Sequence, residues 1–254
     1  MTRSAEDPLA GSSVNAVVTG GSRGIGRAVV HRLARDGVTV VFTYASNASA
    51  AAEVERAVTE EGGKAHGIRV DLSEPGSVAR MFEAASAHID GLDILVNNAG
   101  TTVPKLLPDL TSADFDLLFA LNTKAVFEAV QHASRHMRDG GRIITVSTAN
   151  VQLPLPTTSA YGASKAAAEL ITQVAARELG ARGITANVVR PGATETDLLL
   201  SSSTPEVRDL LTQFTPLGRM GQPSDVADVI AFLAGHDGRW LTGEILNATG
   251  GLHA

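Results

Sequence analysis

The 254-residue chain contains no cysteine, which excludes a disulfide framework and thiol catalysis and is compatible with a reducing cytoplasm. It also lacks an apolar run long enough to span a bilayer. Its longest stretch without a charged side chain, residues 143–164, is broken by Pro154 and Pro156 and rich in hydroxyls. Excess positive charge is missing too, and the net charge of -6 argues against nucleic-acid or anionic-membrane partners. No repeat, low-complexity linker or composition shift marks a second domain. Residues 1–13 hold Glu6, Asp7 and Pro8 with no apolar core; they read as a flexible arm rather than a signal peptide, leaving 14–254 as one domain.

What is present is a 44% hydrophobic, 19% charged chain in which short β-branched runs alternate with longer alanine-rich segments. Strands are expected over 15–19, 39–43, 65–70, 93–96, 142–147, 185–189 and 244–247. Helices are expected over 25–35, 48–61, 75–89, 112–138, 160–182, 205–214 and 224–234. Apolar strands separated by helices imply an α/β fold with a doubly wound parallel sheet of about seven strands and helices on both faces.

The polar outliers follow the strands. Gly20-Gly21-Ser22-Arg23-Gly24-Ile25-Gly26 follows the first, Ser46-Asn47 the second, Asp71 the third and Asn97-Asn98-Ala99-Gly100 the fourth. Ser147-Thr148 and Arg190-Pro191-Gly192 close the fifth and sixth. All are carboxyl ends, where an open parallel sheet binds its ligand. Strand ends also attract turn residues, but a turn does not require a double asparagine or a hydroxyl pair.

The glycine spacing is G-x-x-x-G-x-G, a weak signal in isolation. Between a strand and a helix it has a mechanism: glycines let backbone N–H groups approach a pyrophosphate at the helix N-terminus. No acidic residue ends the second strand to hold ribose hydroxyls. Arg23, Ser46 and Asn47 can instead bind a 2′-phosphate, which predicts NADP(H) over NAD(H).

Tyr161 and Lys165 stand four residues apart in an alanine-rich helical stretch and so share a face. A nearby cation lowers a phenol's pKa, which would make Tyr161 a proton shuttle for a carbonyl or alcohol. The pair alone is as readily two surface side chains. Asn122 falls on the apolar stripe of Phe115, Leu118, Phe119, Val126 and Val130; buried there it needs hydrogen-bond partners, at a cost of about 1–3 kcal/mol without them. A structural asparagine bonding nearby backbone satisfies the same pattern.

These residues together resemble the short-chain dehydrogenase/reductase family, from about Val14 to Gly251. The markers are Thr19-Gly20-x-x-x-Gly24-x-Gly26, Asn97-Asn98-Ala99-Gly100, Asn122, Tyr161-x-x-x-Lys165, Arg190-Pro191-Gly192, Pro216-Leu217-Gly218-Arg219 and Leu241-Thr242-Gly243. The nearest likeness is to ketoacyl-carrier-protein reductases and related ketone and sugar-alcohol reductases. Two positions depart from the pattern: Thr148 stands where the family has serine, and Thr249 where it has aspartate. Threonine keeps the hydroxyl but restricts its rotamers.

The resemblance implies a Rossmann-type catalytic domain with Asn122, Thr148, Tyr161 and Lys165 as the catalytic set. Tyr161 would protonate the substrate oxygen, Thr148 (or Ser147) would donate a hydrogen bond to it, and Asn122 would link Lys165 to solvent through a proton relay. NADP(H) would be held by Gly20, Ser22, Arg23, Gly24, Ile25, Gly26, Ser46, Asn47, Asp71, Leu72, Asn98, Ala99, Gly100, Tyr161, Lys165, Pro191, Gly192, Thr194 and Thr196. Ser147, Val151, Leu153, Leu198 and Leu199 are expected to wall an apolar pocket for a small carbonyl or alcohol, with a lid over 193–215; ordinary packing explains those leucines equally well. Homotetramerisation through the two long helices is also implied. His132 and His136 have a metal-capable spacing, but no glutamate follows His132, and no metal is expected. The leading reading is an NADP(H)-dependent ketone/alcohol oxidoreductase. An isomerase or dehydratase on the same scaffold and an NADP(H)-sensing binding protein are the alternatives.

Overall fold

The computed structural model describes residues 13–252, so the expected arm lies outside the described residues except for Ser13. The strands are β1 (Asn15–Val18), β2 (Thr39–Tyr44), β3 (Lys64–Arg69), β4 (Leu92–Asn97), β5 (Met137–Val146), β6 (Thr185–Pro191) and β7 (Ile245–Ala248). They form one parallel sheet in the order β3-β2-β1-β4-β5-β6-β7. The winding direction reverses between β1 and β4, so the crevice of a doubly wound sheet opens above their carboxyl ends.

Parallel strands are buried on both faces, which is why β1 and β4 have no exposed residue. On one face α1 (Gly24–Arg35), α2 (Ala48–Glu60) and α9 (Pro223–Ala234) pack Val29, Leu33, Val54 and Ile230 against Val18, Val40 and Phe42. On the other, α3 (Ser77–Ala85), α5 (Ala125–His136) and α6 (Ser159–Leu179) pack Met81, Val126, Ala129 and Ala168 against Val17, Leu95 and Ile143. Alanines on α5 and α6 let these helices lie close to the sheet. Among the described residues no helix is long and apolar enough to cross a membrane.

Two expected helices change and one unexpected helix appears. The continuous helix over 112–138 is α4 (Ser112–Phe119), a π-helical turn at Ala120–Lys124, and α5, which ends at His136. Periodicity cannot reveal the turn because it inserts an extra residue without ending the helix. The helix expected over 75–89 is only Ser77–Ala85, starting after Gly76 at φ 72. The lid stretch contains an unexpected short helix, α7 (Asp197–Ser202), ahead of α8 (Pro205–Phe214), and neither has a buried residue.

Phe42 ties the sheet to the coming site. It is fully buried; a Cβ on Gly21 would lie 2.5 Å from its own Cβ, and a Cβ on Gly67 would lie 3.0 Å from the ring tip. The two glycines are thus spaces for one ring. Phe42→Ala is expected to cost about 3–5 kcal/mol, read as a lowered urea midpoint with unchanged slope.

Candidate active site

The first part of the site is a clamp across the β1/β4 switch point. Thr19 Oγ1 accepts from the backbone N–H groups of Asn98 and Ala99, both at 2.9 Å. The Asn98 amide donates to the carbonyls of Thr19 (2.8 Å) and Gly20 (3.1 Å). From the other side Thr43 Oγ1 accepts from Gly20 N–H at 2.9 Å. Asn98, expected to touch cofactor, therefore spends its amide protons bracing the glycine loop. Gly26 must be glycine because a Cβ there would come within 2.1 Å of the Gly20 carbonyl oxygen.

The loop fits an anionic group. α1 starts at Gly24 with no side-chain cap and no acidic residue in its first turn, leaving its positive end to be met from outside. Ser22, Arg23 and Ile25 surround that start, and Thr196 lies over it: a Cβ on Gly24 would be 3.3 Å from Thr196 Cγ2. Thr196 also caps α7, accepting from Leu199 N–H at 3.3 Å. Ser46 is exposed at the end of β2, while Asn47 Oδ1 is taken by Ala50 N–H and the Ser49 hydroxyl. Arg69, absent from the sequence reading, donates from Nε to the Ala45 carbonyl at 3.2 Å and brings a second cation beside Ser46. Asp71 is exposed, and its carboxyl is held below the usual range by hydrogen bonds from Ser73. Leu72 is buried in the core, so only its backbone can face a ligand. Pro191 is buried, Gly192 packs against Thr249, and Thr194 donates to the Gly192 carbonyl at 3.1 Å.

The chemical end gathers around α6. Lys165 is buried, and its Nζ donates to the Val146 carbonyl at 2.8 Å. Burial lowers its pKa to about 8, with Glu169 opposing the shift. Tyr161 shows the opposite of the expected displacement: burial raises the phenol above its ordinary value, and a hydrogen bond with Thr148 only partly counters this. Desolvation is the larger of the two effects and favours the protonated phenol. The Asn122 carboxamide accepts from Thr101 N–H and donates to Thr101 O and Ser164 Oγ, each at 3.0 Å. The side chain thereby braces the turn holding Gly100. That turn is tight, for a Cβ on Gly100 would lie 3.0 Å from Asn122 Oδ1 and 3.1 Å from Lys165 Nζ.

Ser147 also departs from expectation. Neighbouring residues of an extended strand end point oppositely, and while Thr148 faces Tyr161, the buried Ser147 donates to Glu169 Oε1 at 2.5 Å. It does not wall the pocket. A groove of about 490 Å³ is lined by Leu106 and Leu107, by Val151, Pro154 and Leu155 on the segment after Thr148 and by Gly162, Ala163 and Ala166 on α6, while Thr148, Tyr161 and Lys165 themselves lie outside the lining. Leu153 is outside that lining, as are Leu198 and Leu199, which sit half-buried on α7. His132 stacks on Phe82 at 3.8 Å between ring centroids and His136 lies against it, a packing role for the pair.

A family model described as enoyl-(acyl carrier protein) reductase matches residues 20–253. A short-chain dehydrogenase/reductase from Serratia marcescens is 41% identical, with 97% of this chain and all of that one covered and a TM-score of 0.91. The chain belongs to the short-chain dehydrogenase/reductase family. An angucycline C-6 ketoreductase, LanV, solved with bound NADP, is 42% identical over 94% of this chain and 95% of its own, with a TM-score of 0.89. A hydroxynaphthalene reductase-like protein of Metarhizium brunneum is 37% identical over 99% of each chain.

For a short-chain dehydrogenase/reductase the sequence reading missed three things. Arg69 could have been suspected as a cation two residues before Asp71, and Glu169 as an acid one turn after Lys165. Leu106 and Leu107 carried no signal, since their approach to residues 150–159 is purely tertiary. The clamp yields a prediction: Asn98→Ala removes both braces of the glycine loop and is expected to cost about 1–3 kcal/mol in urea unfolding.

Proposed function

We propose that the protein is an NADP(H)-dependent reductase of apolar ketones, working reversibly on the corresponding secondary alcohols. The observation that carries this reading is the Tyr161 phenol hydrogen-bonded to Thr148 and one helical turn from buried Lys165, at the same sheet edge as the uncapped start of α1. The NADP bound to LanV supports the cofactor, as do Arg23 and Arg69 in a region without a carboxylate at the end of β2.

The residues that would hold NADP(H) are the glycine loop, Arg23, Ser46 and Arg69 at its phosphates, Asp71 and the Leu72 backbone near adenine, and Lys165, Gly192, Thr194 and Thr196 toward nicotinamide. When bound, the cofactor supplies the hydride. Thr148 orients the substrate oxygen by a hydrogen bond, and Tyr161 gives that oxygen its proton. A phenol raised by burial is fully protonated at neutral pH, the form that a reduction requires. The phenolate left behind is stabilised by the Lys165 ammonium and the Thr148 hydroxyl.

The apolar groove lined by Val151, Pro154 and Leu155, on the segment that follows Thr148, suits an extended hydrophobic ketone. The angucycline named for LanV and the hydroxynaphthalene named for the reductase-like protein support a fused-ring substrate. Residues 193–215 act as the lid, consistent with the lack of any buried residue in α7 or α8. We infer a cytoplasmic location, with which the cysteine-free composition is compatible. A homotetramer would cover Phe127 on α5 and Leu170 and Val174 on α6, which are 47%, 62% and 44% exposed; sedimentation at assay concentration checks it.

Oxidation of NADPH and NADH is to be followed with ketones from small ketoesters to fused-ring aromatics. Turnover with NADPH, strongest for the bulky apolar ketones, is expected; cofactor binding without turnover on the whole panel points to a sensor. Tyr161→Phe is expected to lose about 10²–10⁴-fold in kcat while still binding NADPH. The Arg23→Ala/Arg69→Ala double variant is expected to bind NADPH about tenfold or more weakly, with NADH binding unchanged in fluorescence titration.

A further inference from the structure

Glu169 has no part in the proton transfer just described, yet it is the most heavily bonded acid near it. Its side chain is 5% exposed, and it lies one helical turn beyond Lys165 on α6. Oε1 accepts from Ser147 Oγ at 2.5 Å and from Arg190 Nε at 2.7 Å, and Oε2 accepts from Arg190 Nη2 at 2.6 Å. Arg190, on β6, is 13% exposed and donates its remaining Nη1 to Gln152 Oε1 at 3.0 Å. Ser147 and Val146, whose carbonyl holds Lys165, are adjacent at the end of β5.

The result is a row of charges, Lys165 positive, Glu169 negative and Arg190 positive, with the carboxylate in the middle. Lys165 lies one helical turn from Tyr161 on one side and Glu169 on the other along α6, donates to the Val146 carbonyl on β5, and comes near Asn122 across Gly100. Glu169 faces Ser147 on β5 and Arg190 on β6. Glu169 is the acid whose field reaches Lys165 and opposes the cost of burying the ammonium. A surface ion pair would contribute little, but removing the partner of a buried charge is costly.

We propose that Glu169 is a positioning residue of this reductase: its carboxylate keeps Lys165 charged beneath Tyr161 and, through Arg190 and Gln152, fixes the segment that follows Thr148. The catalytic consequence rests on the reductase reading above; the electrostatic one does not. Without the Glu169 charge, Lys165 loses its proton at lower pH, and the phenolate formed from Tyr161 loses its cation. The alkaline limb of the reduction then moves toward acid, because a lysine whose pKa falls is charged over a narrower range.

The test reads the lysine directly. Protein labelled with ¹³C at lysine Cε gives four signals, from Lys64, Lys105, Lys124 and Lys165, the last assigned with Lys165→Met. In Glu169→Gln the Lys165 midpoint is expected at least one pH unit below wild type, with the other three unmoved; an unchanged midpoint overturns the proposal. In NADPH-dependent ketone reduction the same variant should stay within a few-fold of wild-type kcat at pH 6 and lose about fivefold or more at pH 8. An equal loss at every pH overturns the proposal, since it marks a structural role. Should Glu169→Gln fail to fold, Glu169→Leu/Arg190→Met replaces the whole buried pair with apolar side chains, a change that folds tolerate. A lowered Lys165 midpoint in that variant supports the proposal and an unmoved one overturns it. If wild type reduces no ketone, the reductase reading falls while the lysine titration still decides whether Glu169 holds the charge.

Discussion

Two parallel strands that wind away in opposite directions leave a gap above their carboxyl ends, and something must hold its rims in register. Here that task falls on the side chains of Thr19 and Asn98, which anchor four hydrogen bonds between the Thr19-Gly20 end of β1 and the Asn98-Ala99 end of β4. The glycine loop hangs from this clamp, α1 starts from the loop, and Gly100 carries the chain from the clamp to Lys165 and Asn122. Side-chain amides bonded to backbone carbonyls act over short distances and with fixed direction, so the two halves of the site cannot drift apart independently.

The second half of the site is organised by burial. An ammonium and a phenol taken out of water both move toward their neutral forms, and the structure answers each differently. Burial favours the protonated Tyr161 phenol, which suits a proton donor. Lys165 receives a carbonyl, a carboxylate one turn away and, behind that, an arginine that balances the carboxylate. The π-helical turn at Ala120–Lys124 belongs to the same arrangement, since it brings Asn122 inward to brace Thr101 beside Gly100.

The periodicities made the sheet and its flanking helices legible from residues alone, because burial on both faces demands unbroken apolar strands. The carboxyl-edge motifs also lay open to reading, for strand ends in such a sheet are neighbours whatever the loops do. The role of each polar side chain was less legible. The bracing bonds that the Asn98 and Asn122 side chains make were not foreseen, and Ser147 read as pocket wall and is a buried donor to Glu169. A sequence names donors and acceptors but not their partners, and each of these partners lies more than twenty residues away in the chain.

By itself the sequence determined the layer architecture, the edge of the sheet where chemistry takes place, and the pairing of Tyr161 with Lys165, since all three follow from repeat spacing along one chain. Only the tertiary structure decided that burial favours the protonated Tyr161, that Lys165 is shared between Val146 and Glu169, and that Leu106 and Leu107 meet residues 150–159 to form a groove. These outcomes depend on desolvation and on contacts between distant segments, quantities that exist only once the chain has closed around itself.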